Sequence, residues 1–245
     1  MSDYRILPAG DAALVVDFGD RIERALNNRV LALAQAIAED HAEGVLETVP
    51  TFRSLMIYYQ PERIAYSRLV ERVSEWMIES ANVSYPSRLW RVPVCYDPSV
   101  APDMLEVAER LGLSPGEIAE RHAAITHHVY MLGFLPGQPY LGDLPMELAL
   151  PRRASPRGKV AAGSVGVAMT MTCVFPRETP CGLNVIGRTP APLWDPLRAE
   201  GWRLAPGDKV IFEPITLEAF EALSRPAREG WLQMRHEFGD SEVVS

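Results

Sequence analysis

Apolar positions recur along the first third of the chain with two different periods. Ala12–Phe18 (A-A-L-V-V-D-F) is a short apolar run closed by Gly19, which predicts a strand. Between Ile22 and Glu39 the apolar residues Ile22, Leu26, Val30, Leu33 and Ile37 follow helical spacing. Val45–Val49 and Leu55–Tyr59 read as strands on either side of Pro50-Thr51-Phe52-Arg53. Pro61 is placed to start a helix carrying Leu69, Val70, Val73 and Met77. Strands and helices alternating in this way predict a small α+β domain over residues 1–85.

Ala81–Ser87, with Pro86 and two serines, reads as a linker, and the pattern changes after it. Trp90–Val94 alternates like a strand. Asp103 is placed to cap a helix over Met104–Leu111, and Ser114-Pro115-Gly116-Glu117 is a capping box opening a second helix to Ala123. Short strands between glycines and prolines then dominate: Val129–Leu132, Val165–Val174, Leu183–Ile186 and Lys209–Phe212. A last helix is expected over Leu217–Leu223. Residues 86–245 therefore read as a mostly β domain, a barrel or sandwich.

Charge narrows the function classes. The 245 residues carry a formal net charge of −8, which argues against general nucleic-acid binding. The helix pair Met104–Ala123 resembles a helix-turn-helix, but its second helix, E-I-A-E-R-H-A, is net acidic where a DNA reader needs cations. No apolar run is long enough to span a membrane, and the N-terminus lacks the pattern of a signal peptide. Cys95, Cys173 and Cys181 are odd in number and show no C-x-x-C spacing, so a reducing cytoplasm is expected.

Within this acidic chain Arg152, Arg153, Arg157 and Lys159 form an island of positive charge beside Gly163-Ser164. Forked guanidinium donors suit a small anion. Gly163, Ser164 and Gly166 lie in A-G-S-V-G, which superficially matches a nucleophile elbow; that motif needs a helix after the serine, and V-G-V-A-M-T-M-T-C-V-F reads as strand. A tight turn offering backbone N–H groups to a ligand fits better. The spacing of His122, His127 and His128 puts no two ligands on one helical face, so no metal is expected; His128, beside the Gly-Pro loop, is the general-base candidate. No G-x-x-x-x-G-K-[ST] occurs, so any ATP site is atypical or shared with a partner.

The chain resembles the family of 5-oxoprolinase B subunits, also described as allophanate hydrolase subunit 1 or the KipI-type kinase inhibitor family. The matching stretches are P-A-G-D-A-A-L-V-V-D-F-G-D at 8–20, V-P-T-F-R-S-L-M-I-Y-Y at 49–59, Y-M-L-G-F-L-P-G-Q-P-Y-L at 130–141, L-P-R-R-A-S-P-R at 150–157, A-G-S-V-G-V-A at 162–168 and I-G-R-T-P-A-P-L-W-D-P at 186–196. The resemblance implies an α+β N-terminal domain followed by a cyclophilin-like β-barrel. It implies a C-type partner with a related barrel and a third, A-type protein, the complex converting 5-oxoproline to glutamate with ATP. It also leaves two alternatives: a carboxyltransferase subunit of the urea carboxylase or allophanate hydrolase type, and a histidine-kinase inhibitor.

On this reading His128, Arg153, Arg157 and Lys159 are the catalytic candidates. Tyr140, Gly163, Ser164, Gly166, Thr172 and Arg188 are the substrate- or anion-binding candidates. Phe134, Leu135, Tyr140, Leu141 and Trp194 are the expected apolar patch for a partner. Three departures stand out: Gln138 where the family has Phe, Met171-Thr172-Cys173 for Gln-Thr-Gly, and Pro180-Cys181-Gly182 for Pro-Gly-Gly.

Overall fold

The computed structural model describes residues 4–80, 84–85, 87–196, 203–228, 235–238 and 242–243. Its contacts divide them into two units. One runs to Ser87 and includes the short strand Glu242–Val243; the other runs from Arg88 to Phe238.

In the first unit, strands β1 (Arg5–Pro8), β2 (Ala13–Asp17), β3 (Val45–Pro50) and β4 (Ser54–Tyr59) form an antiparallel sheet in the order β1-β2-β4-β3. Helices α1 (Arg24–Asp40) and α2 (Tyr66–Glu79) complete a core with Leu14, Val16, Val30, Leu33, Leu55, Ile57, Leu69, Val73 and Trp76. The period of α1 holds from Leu26, but Ile22 lies before the helix and is exposed. Helix α2 begins at Tyr66, not at Pro61, which stands in the preceding turn. Most of the expected linker 81–87 lies outside the described residues; β5 (Ser84–Tyr85) pairs with Glu242–Val243.

The second unit is built on a closed barrel. It is formed by β6 (Arg88–Cys95), β7 (His127–Leu132), β8 (Pro139–Leu141), β10 (Ser164–Ala168), β11 (Met171–Val174), β13 (Asn184–Arg188) and β14 (Lys209–Ile215). The order is β13-β10-β11-β8-β7-β14-β6, and an Arg188↔Cys95 pairing joins the two ends. Strands β6 and β14 run parallel; the other pairs are antiparallel. A ribbon of β9 (Arg157–Val160) and β12 (Thr179–Cys181) stands apart from the barrel sheet, and β15 (Arg235–Phe238) adds to β6. This is the α+β unit followed by a mostly β barrel that the resemblance implied.

Two local differences from the sequence reading have physical reasons. The apolar run Val165–Val174 is a hairpin, because Met169 takes a left-handed conformation (φ 51°) and reverses the chain into β11. The turn pair Met169-Thr170 contains no Gly, Pro, Asn or Asp to mark it in the sequence. The strand expected over Leu183–Ile186 is β13, extending to Arg188, where it closes the barrel.

Barrel residues alternate between faces. Val92, Val94, Val129, Leu141, Val165, Val167, Val174, Ile186, Val210 and Phe212 fill the main core. Helices α3 (Met104–Leu111) and α4 (Pro115–Ala123) pack on β13 and β14. The capping box of α4 is present in full: the Glu117 N–H donates to Ser114 Oγ and the Ser114 N–H donates to the Glu117 carboxylate. Helix α5 (Leu217–Arg228) follows β14.

Candidate functional site

The island of positive charge is drawn to a buried acid. Asp103, just before α3, has no solvent exposure. Its carboxylate accepts from Arg153 Nη1 at 2.7 Å, from Arg157 Nε at 3.0 Å, from Arg157 Nη2 and from the Val185 N–H at 2.8 Å. Glu106 on α3 adds a second carboxylate, 2.8 Å from Arg153 Nη1. Hydrogen bonding to Asp103 raises the Arg157 pKa above its ordinary value, against the opposing effect of burial. Lys159 is exposed and meets Glu178 at 3.1 Å. These three residues therefore tie the 150–160 segment to Asp103, to Glu106 on α3 and to Glu178; their charges are already answered within the chain.

Gly163 lies elsewhere. It has φ 82°, and a Cβ there would stand 2.2 Å from the Thr189 carbonyl oxygen, so the turn requires glycine. Gly163 lines a cleft of about 200 Å³ with Ala162, Phe175, Arg188, Thr189 and Phe220. Arg188 is the one charged side chain among the described lining residues; its Nε donates to the Ala162 carbonyl at 2.9 Å and its guanidinium stands 5.5 Å from the Phe220 ring centre. The structure thus brings Gly163 together with Arg188, and not with Arg153, Arg157 and Lys159. The cleft offers a cation and aromatic and proline walls, which suits a small, partly apolar ligand with an anionic end.

The remaining candidates separate by face. Ser164 begins β10 and is followed by strand, so no nucleophile elbow forms. Gly166 is buried in β10, where an added Cβ would crowd Leu183 and Phe175. Thr172 is fully buried: its Oγ1 is 3.1 Å from His122 Nε2, and His122 Nδ1 is 2.8 Å from the Tyr96 hydroxyl. His122 stacks on Phe212 with centroids 4.9 Å apart, and burial, then the neighbouring His127, hold its pKa well below the ordinary value. This neutral line runs through the barrel core. His128 is buried on β7 with its ring edge-on to Tyr130, away from solvent.

Of the expected apolar patch, Phe134 is 68% exposed and sits at φ 69°, an unusual conformation for an aromatic residue. Leu141 is core, which corrects its assignment to the patch. Leu135 and Trp194 are half-buried. Gln138, one of the departures, is buried where Gly137 and Trp194 close on each other. Tyr140 and Cys173 pair across β8 and β11, facing away from the main core into a satellite cluster with Val160, Phe175, Cys181 and Val185. Sequence reasoning misses the parts played by Asp103 and His122. The local pattern marks Asp103 only as a helix cap, and a separation of about fifty residues from either arginine leaves no signal of the ionic cluster.

The comparisons follow the same segments. The model of the carboxyltransferase domain, subdomain C and D, matches residues 4–204. The B subunit of 5-oxoprolinase from Escherichia coli O157:H7 is 39% identical over 87% of this chain and 97% of its own length. That of Bacillus subtilis is 36% identical over 89% of this chain and 96% of its own. The crystal structure of TTHA0988 superposes with a TM-score of 0.75 at 34% identity, covering 83% of this chain; the chain spans only 40% of that longer protein. Kluyveromyces lactis urea carboxylase shares the fold, with a TM-score of 0.78 at 19% identity over 98% of this chain and 24% of its own. Among the described residues no helix is long and apolar enough to cross a membrane. With a match from the first strand to just short of β14, and relatives matched nearly end to end, the chain belongs to the carboxyltransferase subdomain C and D family and, within it, with the 5-oxoprolinase B subunits.

Proposed function

We propose that this chain is the B-type component of a cytoplasmic 5-oxoprolinase complex, which opens the lactam of 5-oxoproline to glutamate with ATP, alongside a C-type protein with a related barrel and an A-type protein. The observation that carries the reading is the 39% identity to a 5-oxoprolinase B subunit over 97% of that protein. The site geometry agrees with a chain that works only in company. Its clustered cations Arg153 and Arg157 are taken up by Asp103 and Glu106, and His128 is buried. Opening a stable lactam needs an activated carbonyl, such as a phosphorylated one, and donors for the charge that develops. The Gly163–Arg188 cleft supplies a cation for an anionic end of the substrate; ATP enters through the complex.

Reconstitution tests this. The purified chain alone should release no glutamate from 5-oxoproline and ATP, and adding A-type and C-type partners should restore release. Arg188→Gln should lower turnover about tenfold or more in the complex if the cleft binds substrate, since a charge-assisted hydrogen bond contributes roughly 1.5–3 kcal/mol. Robust turnover by the chain alone would refute the idea that it is one part of a larger catalyst. The family model's own description favours one other reading, a carboxyltransferase-type subunit; a complex that consumes allophanate or carboxylates urea, and leaves 5-oxoproline untouched, would select it.

A further inference from the structure

Two of the sequence stretches that carry the resemblance, 8–20 and 49–59, take no part in the Gly163–Arg188 cleft. In the first unit they build most of a cleft of their own, about 360 Å³ in volume. Leu7, Val15, Ile22 and Phe52 supply its apolar walls, and Asp17 and Arg53 its charges. The turn between β3 and β4 presents Phe52 and Arg53, and it is held from three sides. Fully buried Asn27 on α1 donates through Nδ2 to the Thr51 carbonyl at 2.9 Å and to the Phe52 carbonyl at 3.3 Å. The Thr51 N–H donates to the Ser54 carbonyl at 2.8 Å, and the two hydroxyls of this pair are 2.8 Å apart. The Phe18 N–H donates to the Arg53 carbonyl at 2.9 Å. The backbone beneath Phe52 and Arg53 is therefore fixed in advance, which lowers the ordering cost of binding.

The sheet extends the cleft. Leu14 and Val16 of β2 and Leu55 and Ile57 of β4 belong to the core with α1 and α2, so alternate residues face the other way. On that second face, cross-strand pairing sets Leu7, Val15, Met56 and Val49 side by side, one from each strand, and none of them belongs to the core. Leu7 is 43% exposed and Ile22 50%. Two residues further along the strands lies a polar row, Arg5, Asp17 and Ser54. Arg5 and Arg53 share the Asp17 carboxylate, at 2.5 Å and 3.3 Å, and among the described residues neither meets a second one. These three side chains sum to one positive charge beside an apolar row. Two residues along a strand span about 6.8 Å, and side chains on one face of any extended segment repeat at that same distance.

We propose that this face of the first unit docks an extended segment of a partner protein in which an acidic residue stands two positions from an aliphatic one. The acid meets Arg53 and Arg5, and the aliphatic side chain enters the cleft against Leu7 and Val15. The inference goes beyond the enzymatic reading, because it concerns a protein contact made by the α+β unit and not the chemistry of the barrel.

NMR titration of the isotope-labelled full chain tests it, with the capped peptide Gly-Ser-Thr-Glu-Ser-Leu-Thr-Ser-Gly as probe. The peptide should shift the amides of Leu7, Val15, Asp17, Arg53 and Ser54, with a dissociation constant of about 1 mM or tighter. Replacing its Glu by Lys, or its Leu by Ser, should weaken binding about threefold or more. Arg53→Gln should weaken it about three- to tenfold, as expected for a charge-assisted bond partly screened by solvent. Leu7→Ser, at an exposed position that leaves the core intact, should weaken it to a similar extent. Arg91→Gln in the barrel should change nothing, and 5-oxoproline should leave these amides unmoved. The assignment is overturned if the probe moves none of these amides, or if the Lys or Ser peptide binds as well as the Glu-Ser-Leu peptide. It is equally overturned if Arg53→Gln or Leu7→Ser binds like wild type, or if sedimentation shows a dimer of this chain, dissociated by Leu7→Ser, that already covers the face.

Discussion

The second unit contains two polar networks that meet burial in opposite ways. Around Asp103 the network is ionic: one fully buried carboxylate collects two arginines that keep part of their side chains in water. Around His122 it is neutral: Tyr96, His122 and Thr172 hydrogen-bond in line, all buried, with the imidazole stacked on Phe212. A charge can be held where a partner charge and solvent are near. Deep in the barrel no counter-ion reaches, and the group that titrates is kept uncharged. Polar residues in this fold are thus sorted by what the surroundings can compensate.

The most severe way to break the comparison is to remove the acid. Asp103→Ala leaves Arg153 and Arg157 facing each other without their common partner and frees the Val185 N–H. It should cost about 3–5 kcal/mol in denaturant unfolding. A loss below about 1 kcal/mol would show that the arginines find other partners. Arg157→Ala comes next, at about 1–2 kcal/mol, because Glu106 and Arg153 remain and its side chain is one-third exposed. Arg157 donates to the buried Asp103 through both Nε and Nη2, and a stability measurement on this variant tests whether those bonds hold the fold.

The neutral line should respond on a similar or smaller scale. Thr172→Val removes the partner of His122 Nε2 without opening a cavity and should cost about 1–2 kcal/mol. Its pH signature is more telling. The His122 pKa is lowered in the folded chain, so the unfolded chain binds the extra proton first as pH falls. The stabilisation is complete above the ordinary value of 6.5 and declines as pH drops through and below it. The unfolding free energy between pH 7 and 5 should fall, by at most about 1.4 kcal/mol per pH unit from this group, and His122→Gln should flatten that slope. An equal slope in the variant would place the titration elsewhere. Lys159→Ala should be the smallest effect, within about 0.5 kcal/mol, since its pair with Glu178 is exposed on both sides.

Periodic and local features are legible in the order of residues. The helical spacing from Leu26 to Ile37, the capping box at Ser114 and the change of pattern after residue 87 all concern neighbours within a few residues, and the physics that sets them acts over that range. Motif order along the chain likewise carries the family. The hairpin inside Val165–Val174 is not legible, because neither Met169 nor Thr170 is a strong turn-former. Nor is the fate of the cations. Arg152 and Arg153 are adjacent and identical in type, yet one lies over Gly182 and the other binds a buried aspartate about fifty residues away. Only the tertiary fold decides what each one meets, because a charge's partner is set by three-dimensional distance and local solvent, and neither is written in the order of residues.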